Sequence, residues 1–277
     1  TRALSLIATG EDVIRDMFYD GHPRPEPGAV VCRVAPSFVR FGHFELPFSR
    51  GDIASLRRLA DFVIDRDFPE LAHIADPRAR DAEWFGQVCE RSARMVAEWM
   101  RVGFVHGVMN TDNMSILGAT IDYGPYGWIE NYDPDWTPNT TDAQGKRYRF
   151  GWQPAIVRWN LGKLAEAISP LFDDAQALRD GIERFGAAYT AAERDNTARK
   201  LGLRECRDDD VTAIRELYAL MHDSEADMTL TFSALTDLDL AANGDADAAF
   251  DALRDAFYDP TKRDAQRERW LAWLRDY

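Results

Sequence analysis

Apolar positions along the chain change their rhythm twice. Up to residue 46 they come as short runs, 3–8 and 29–34, with the turn-forming stretch Gly21-His-Pro-Arg-Pro-Glu-Pro-Gly28 between them. That spacing predicts two paired strands, joined by a helical or irregular excursion at residues 12–19. After Gly51 the period becomes helical: Ile53, Leu56, Leu59, Ala60, Phe62 and Val63 share a face, and Asp52 is placed to cap it. The clearest helix is predicted over 81–104, where Trp84, Val88, Arg91, Met95 and Trp99 recur at steps of three and four and Gly103 marks the end. Residues 105–135 break the rhythm. They are dense in Gly, Asn, Asp and Tyr and enclose two short apolar stretches at 114–117 and 119–121, which read as loop, strand, turn, strand, loop. Helical periodicity returns at 155–168, 175–195, 209–220, 232–238, 245–257 and 264–276. The profile is α+β and mainly α, and its polar, loop-rich centre is the natural place for a site.

Composition narrows the classes. With 277 residues, 45% hydrophobic and 12% aromatic, the chain can bury a sizeable core and is too apolar for a disordered protein. No run approaches the roughly 18 apolar residues of a membrane span, and the first residues carry no basic-then-apolar leader. Acids outnumber bases 47 to 33, for a net charge of −14, which argues against a protein that coats nucleic-acid phosphates. Cys32, Cys89 and Cys206 are far apart and form no CxxC pair, so a reducing compartment is expected rather than a disulfide scaffold or zinc finger.

The central string runs Phe104-Val-His-Gly-Val-Met-Asn-Thr-Asp-Asn-Met-Ser-Ile-Leu-Gly-Ala-Thr-Ile-Asp-Tyr-Gly124. A kinase catalytic loop places an Asp base after a His, an Asn metal ligand beyond it, and a later Asp-x-Gly as second ligand. Here Val108 stands where that Asp would be, Asn113 lies five residues further on, and Asp122-Tyr123-Gly124 takes the place of the metal motif. The spacing of a phosphotransfer site is kept without its usual base. Mg2+ takes one or two hard oxygens from protein and the rest from phosphates and water, a demand an Asn amide and a carboxylate on neighbouring loops can meet. Asp112 adds a second carboxylate, suited to act as general base for a hydroxyl. His106 reads as a structural residue that holds the loop.

Other features have plainer readings. Gly145-Lys-Arg-Tyr-Arg-Phe150 is a basic–aromatic cluster read as a solvated loop. Trp84, Trp99, Trp152 and Trp159 read as core. The acidic stretches 208–210 and 239–247 lack the ligand alternation of a calcium loop and read as solvated helix starts.

The runs HGVMNTDNMSILGATIDYGPYGWIENYDPDW and QPAIVRWNLGKLAEAI strongly resemble the SelO (YdiU) family of protein adenylyltransferases, and the resemblance extends from Thr1 to the C-terminal helices. It implies a protein-kinase-like fold and a reaction that moves AMP, not phosphate, from ATP to Ser, Thr or Tyr hydroxyls of other proteins, with Mg2+ or Mn2+ and release of pyrophosphate. By the resemblance Asp112 is the proton acceptor, and Asn113 and Asp122 are the metal ligands, Asp122 also lying beside the nucleotide phosphates. Cys32-Arg33-Val-Ala-Pro-Ser-Phe-Val-Arg40-Phe-Gly matches the family's arginine motif, which makes Arg33 and Arg40 the grip on the terminal phosphate of an ATP bound in reverse of the kinase orientation. Guanidinium forks onto phosphate and stays charged, and if the outer phosphates are anchored the α-phosphorus faces the incoming hydroxyl. The loss of an Asp at Val108 then follows from the base having moved.

The family's Gly-rich loop, nucleotide-binding Lys and its Glu partner have no counterpart here, since Lys146, Lys163, Lys200 and Lys262 all follow the central motif. The chain is therefore expected to be a fragment: one kinase-like domain, with residues 1–46 a remnant of the small lobe and hinge and 47–277 the helical lobe, its catalytic loop at 104–136. Expected partners are ATP and protein substrates, with neither nucleic acid nor membrane, in a bacterial cytoplasm or, in a eukaryote, the mitochondrion. The rival readings are an inert nucleotide-binding pseudokinase scaffold and a phosphotransferase of the small-molecule kinase type.

Overall fold

The computed structural model describes residues 2–17, 20–238 and 245–277. Contacts divide it into two compact units, Thr1–Phe38 and Val39–Tyr277.

The first unit is an antiparallel ribbon of β1 (Arg2–Arg15) and β2 (Arg24–Val34), with Leu6 opposite Val31 and Ile7 opposite Val30. The expected excursion after Asp12 is corrected: residues 12–15 continue β1, because register shifts between Ala3 and Ser5 and between Ala8 and Asp12 absorb the extra residues. Gly10 supplies the positive φ at the second shift. Residues 18 and 19 of that expected excursion lie outside the described residues. Leu4, Leu6, Ile7, Val30 and Val31 are exposed, so this ribbon buries little of its own apolar surface.

The second unit is almost wholly helical. It opens with α1 (Gly42–Ser49), which the pattern reading missed because Pro47 sits inside it, then α2 (Ile53–Asp67), capped by Asp52 accepting from Ser55 N at 2.9 Å. The long α3 (Pro77–Val102) ends at Gly103 in the left-handed region, φ 71°. Short strands β3 (Phe104–Val105) and β4 (Gly127–Trp128) pair antiparallel and frame the central loop. The two apolar stretches predicted there as strands make only one bridge, Met114 to Thr120. Then come α4 (Gln153–Ile168), α5 (Gln176–Lys200), α6 (Asp208–Asp223) and α7 (Met228–Thr236). The chain closes with α8 (Ala246–Ala252), α9 (Pro260–Ala265) and α10 (Arg267–Asp276). The acidic residues 208–210 start α6 as expected, and Asp245 caps α8; residues 239–244 lie outside the described residues. The mainly α, α+β reading holds. No helix among the described residues is long and apolar enough to cross a membrane.

Two hydrophobic cores lie side by side in this unit. One is built from α1 to α5 around Phe44, Phe68, Trp84 and Phe85; the other gathers α6 to α10 around Leu217, Met221, Phe250 and Trp270. The central loop spans both: Met109, Met114 and Ile116 belong to the first and Val105 and Ile129 to the second. Its polar tip is thus carried on a seam anchored from two sides. Trp84 and Trp99 are buried, but Trp152 and Trp159 are 48% and 47% exposed, against expectation. They stand on the outer side of the unit and act as platforms for cations, Arg149 over Trp152 at 4.0 Å and Arg147 over Trp159 at 4.5 Å.

Candidate active site

Four backbone carbonyls at the start of the segment joining β3 and β4 each accept from a side-chain amide. Gln153 Nε2 donates to Phe104 O at 2.8 Å, Asn139 Nδ2 to Gly107 O at 3.0 Å, Asn113 Nδ2 to Val108 O at 2.9 Å and Asn160 Nδ2 to Met109 O at 2.7 Å. Gln153 also accepts from His106 N at 3.0 Å. An irregular loop packed between two cores would otherwise strand these groups away from water, at about 1–3 kcal/mol apiece. Gln153 and Asn160, both fully buried on α4, are positioning residues that the sequence reading passed over. Their signal was available: two amides at helical spacing on an otherwise apolar face.

His106 is fully buried, donates from Nε2 to Ile121 O at 2.8 Å and accepts at Nδ1 from Val108 N at 3.4 Å. It ties the two ends of the site together, as its structural reading anticipated. Burial pushes its pKa below the ordinary value, so it is held neutral. A layer of rings surrounds it: Trp99 and Tyr123 contact its imidazole, and Phe104, Tyr126 and Trp128 continue the cluster. Gly107 has φ 84°, and a Cβ there would collide with Pro125 O, so this turn admits only glycine.

Asp122 follows at φ 49°, a left-handed conformation unusual for a residue with a side chain. Its carboxylate forms an ion pair with the Arg40 guanidinium. The local fold explains the meeting. Phe41 N donates to Met114 O at 3.0 Å and Ile116 N to Val39 O at 3.1 Å, so residues 39–41 run beside 114–116 with Arg40 opposite Ser115. Two residues on, Gly42 packs against Asp112, and a Cβ on it would overlap Asp112 Oδ1. Asp112 and Asn113 share one 3-10 turn, Thr111–Asn113, which Thr111 fastens to Glu45 of α1 through a 2.7 Å hydrogen bond. Segment 40–42 therefore touches both carboxylates at once. Arg33 is an exposed residue of β2 opposite Ala3, in the first unit.

Two features bear on metal and phosphate. Asn113 uses its amide nitrogen on Val108, which leaves Oδ1 as its ligand end, and the Asp122 carboxylate pairs with the Arg40 guanidinium. These are two hard oxygens, the number Mg2+ takes from protein when phosphates supply more. No cluster of three or more His, Cys, Asp or Glu forms among the described residues. Arg40 Nε is buried without a hydrogen-bond partner among the described residues, a donor that an anionic oxygen would satisfy.

Comparison with known proteins decides the family. The profile described as "Protein adenylyltransferase SelO" matches residues 1–277. The chain belongs to the SelO family. It is 63% identical over its whole length to "Protein nucleotidyltransferase YdiU" of Xanthomonas campestris pv. campestris strain B100, and likewise 63% to that of Xanthomonas axonopodis pv. citri strain 306. The protein of the same name from Xanthomonas oryzae pv. oryzae strain PXO99A is 62% identical. The chain covers 52% of each of these relatives, so it spans about half the length of the curated SelO relatives it matches.

Proposed function

We propose that this chain carries the base and metal-binding loop of a protein nucleotidyltransferase, and that the reaction is transfer of AMP from ATP to Ser, Thr or Tyr hydroxyls of proteins. The observation that carries the reading is segment 40–42, which sets a phosphate-competent arginine on Asp122 and frames Asp112 next to the metal-ligand candidate Asn113. The SelO profile over the whole chain and the relatives named nucleotidyltransferases support it.

In this reading Asn113 Oδ1 and the Asp122 carboxylate hold a Mg2+, and Mn2+ suits the same oxygens. A bound ion would supply Lewis-acid stabilisation of the charge on the phosphate and pyrophosphate oxygens. Arg40 turns from Asp122 to a phosphate oxygen, using the Nε–H that lacks an acceptor, and Arg33 supplies the second guanidinium. Asp112, exposed to an incoming chain, takes the proton of the substrate hydroxyl. The hydroxyl oxygen bonds to the α-phosphorus, the bond from that phosphorus to the bridging oxygen breaks, and pyrophosphate departs with the electron pair. Val108, in the kinase base position, has an apolar side chain and serves through its backbone, its carbonyl accepting from Asn113 and its N–H donating to His106 Nδ1. The free cysteines Cys32, Cys89 and Cys206 and the bacterial relatives support a bacterial cytoplasm as the setting.

The test uses ATP labelled at the α- or the γ-phosphate, with Mg2+ and a generic protein acceptor, on wild type and Asp122→Asn. Transfer of α-label alone, lost in the variant, is expected. Transfer of γ-label would make the protein a kinase. Nucleotide binding with transfer of neither label would make it a scaffold.

A further inference from the structure

Away from the loop, the second unit contains a cavity of about 280 Å3 between α3, α5 and α6, to which Arg101, Tyr132, Tyr189, Glu193, Lys200 and Tyr218 contribute. Arg101 and Lys200 also line a neighbouring cavity of about 450 Å3. Lys200 ends α5 with its ammonium over the Phe232 ring at 3.8 Å, and no carboxylate among the described residues pairs with it. Burial lowers its pKa to about 8, and Arg101 pushes it the same way. Arg101 pairs with Glu98 at 2.6 Å, a carboxylate it shares with Arg199. Arg194, paired with Asp208, and the exposed Arg215 also line the cavity, but Lys200 is the cation that burial leaves poorly hydrated, an arrangement that is unfavourable until an anion joins it.

The other end has opposite chemistry. Burial and the Glu193 carboxylate both raise the pKa of Tyr132, to about 12, and the same two causes act on Tyr189 and Tyr218, so all three hydroxyls remain protonated. Tyr132 and Tyr218 stack at 4.8 Å and 15° and form a flat aromatic wall. Glu193 and Lys200 stand seven residues apart on α5, about 10 Å along its axis at a rise of about 1.5 Å per residue.

We propose that this cavity is a binding site for a small aromatic monocarboxylate with a hydrogen-bond donor at its far end, its carboxylate on Lys200, its ring on the Tyr132–Tyr218 wall and its donor on Glu193. The Glu193 carboxylate on the same wall repels a phosphate dianion, so a monoanion with a donor suits the cavity better. Arg33, Arg40, Asp112, Asn113 and Asp122 do not line this cavity, so the two ideas stand or fall separately.

The probe is 3-(4-hydroxyphenyl)propanoate, titrated calorimetrically into the 277-residue chain, with 3-(4-hydroxyphenyl)propanamide as neutral control. The acid is expected to bind, and both the amide and the Lys200→Gln variant to weaken binding by about tenfold or more. In wild type the acid should also shield Lys200 from acylation near pH 8, while Lys146, Lys163 and Lys262 stay reactive by peptide mass mapping. Absence of both heat and shielding at millimolar acid overturns the site, as does undiminished binding by Lys200→Gln. Equal competition by inorganic phosphate overturns the monocarboxylate class. Should the variant fail to fold, the shielding pattern in wild type decides alone.

Discussion

Arg40 and Asp122 form an ion pair at the centre of the candidate site, although the first belongs to the segment before α1 and the second to the turn before β4. Both side chains are about one-third exposed, so the pair contributes about 1 kcal/mol or less to stability. Its larger meaning is electrostatic. A guanidinium already rests where a metal-binding carboxylate is expected to work, and a nucleotide with its cation would take over both partners.

Substitutions at Asp122 separate charge from backbone. Asp122→Asn and Asp122→Ala both remove the ion pair, and both are expected to lower α-label transfer on the order of 100-fold or more, since several kcal/mol of charge stabilisation go with the ligand. They differ at φ 49°, which Asn tolerates and Ala does not. The Ala variant should therefore be less stable than the Asn variant by about 1 kcal/mol, a few degrees in melting temperature. Near-normal transfer by Asp122→Asn would remove Asp122 from the reaction.

Gly42→Ala tests the placement of the base. The three atoms nearest the added methyl all belong to Asp112, the carboxylate Oδ1 foremost, so calorimetric melting should move by no more than about 2 °C. Transfer should drop about tenfold to 100-fold, because displacing a catalytic group by an ångström costs on that scale. Unchanged transfer would show that the Asp112 carboxylate does not need its present position.

The buried amides are open to denaturant titration. Asn160→Leu strands Met109 O and should cost about 1–3 kcal/mol, seen as a lower urea midpoint. Gln153→Leu strands both Phe104 O and His106 N and should cost more than Asn160→Leu. A Gln153 variant as stable as wild type would mean that the loop finds other partners.

Much of this candidate site is legible in the sequence because its residues are contiguous. Asp112, Asn113 and Asp122 sit in one string whose spacing is itself the signal, and the helical periods around Trp84 and Leu56 mark the core that carries it. What pattern could not supply were the contacts made at long range. Nothing local says that Arg40 meets Asp122, or that Gly42 is glycine for the sake of Asp112. The spacing of Gln153 and Asn160 puts them on the apolar face of α4, but their purpose lies in the carbonyls of a loop far back in sequence. Trp152 and Trp159 misled for the converse reason: large aromatics at helical spacing usually mean core, and here they serve as platforms for Arg149 and Arg147.

His106 gives the loop a pH signature. Burial holds its imidazole neutral, with a pKa below the ordinary 6.5. As pH falls through about 6.5 the unfolded chain takes up a proton at this ring and the folded one does not, so the unfolded state binds more protons and stability falls with pH. The loss continues down to the folded pKa, with a limiting slope of about 1.4 kcal/mol per pH unit. The physical obstacle is specific. Nε2–H is committed to Ile121 O at 2.8 Å, and a second proton at Nδ1 would face the Val108 N–H that this nitrogen now accepts. His106→Gln removes the titration while keeping a donor and an acceptor. His22, His43, His73 and His222 are common to both proteins, so the difference between their urea stability curves from pH 7.5 to 5 isolates His106. Wild type should lose stability faster than the variant below about pH 6.5, and parallel curves would show that His106 is protonated as readily in the fold as out of it.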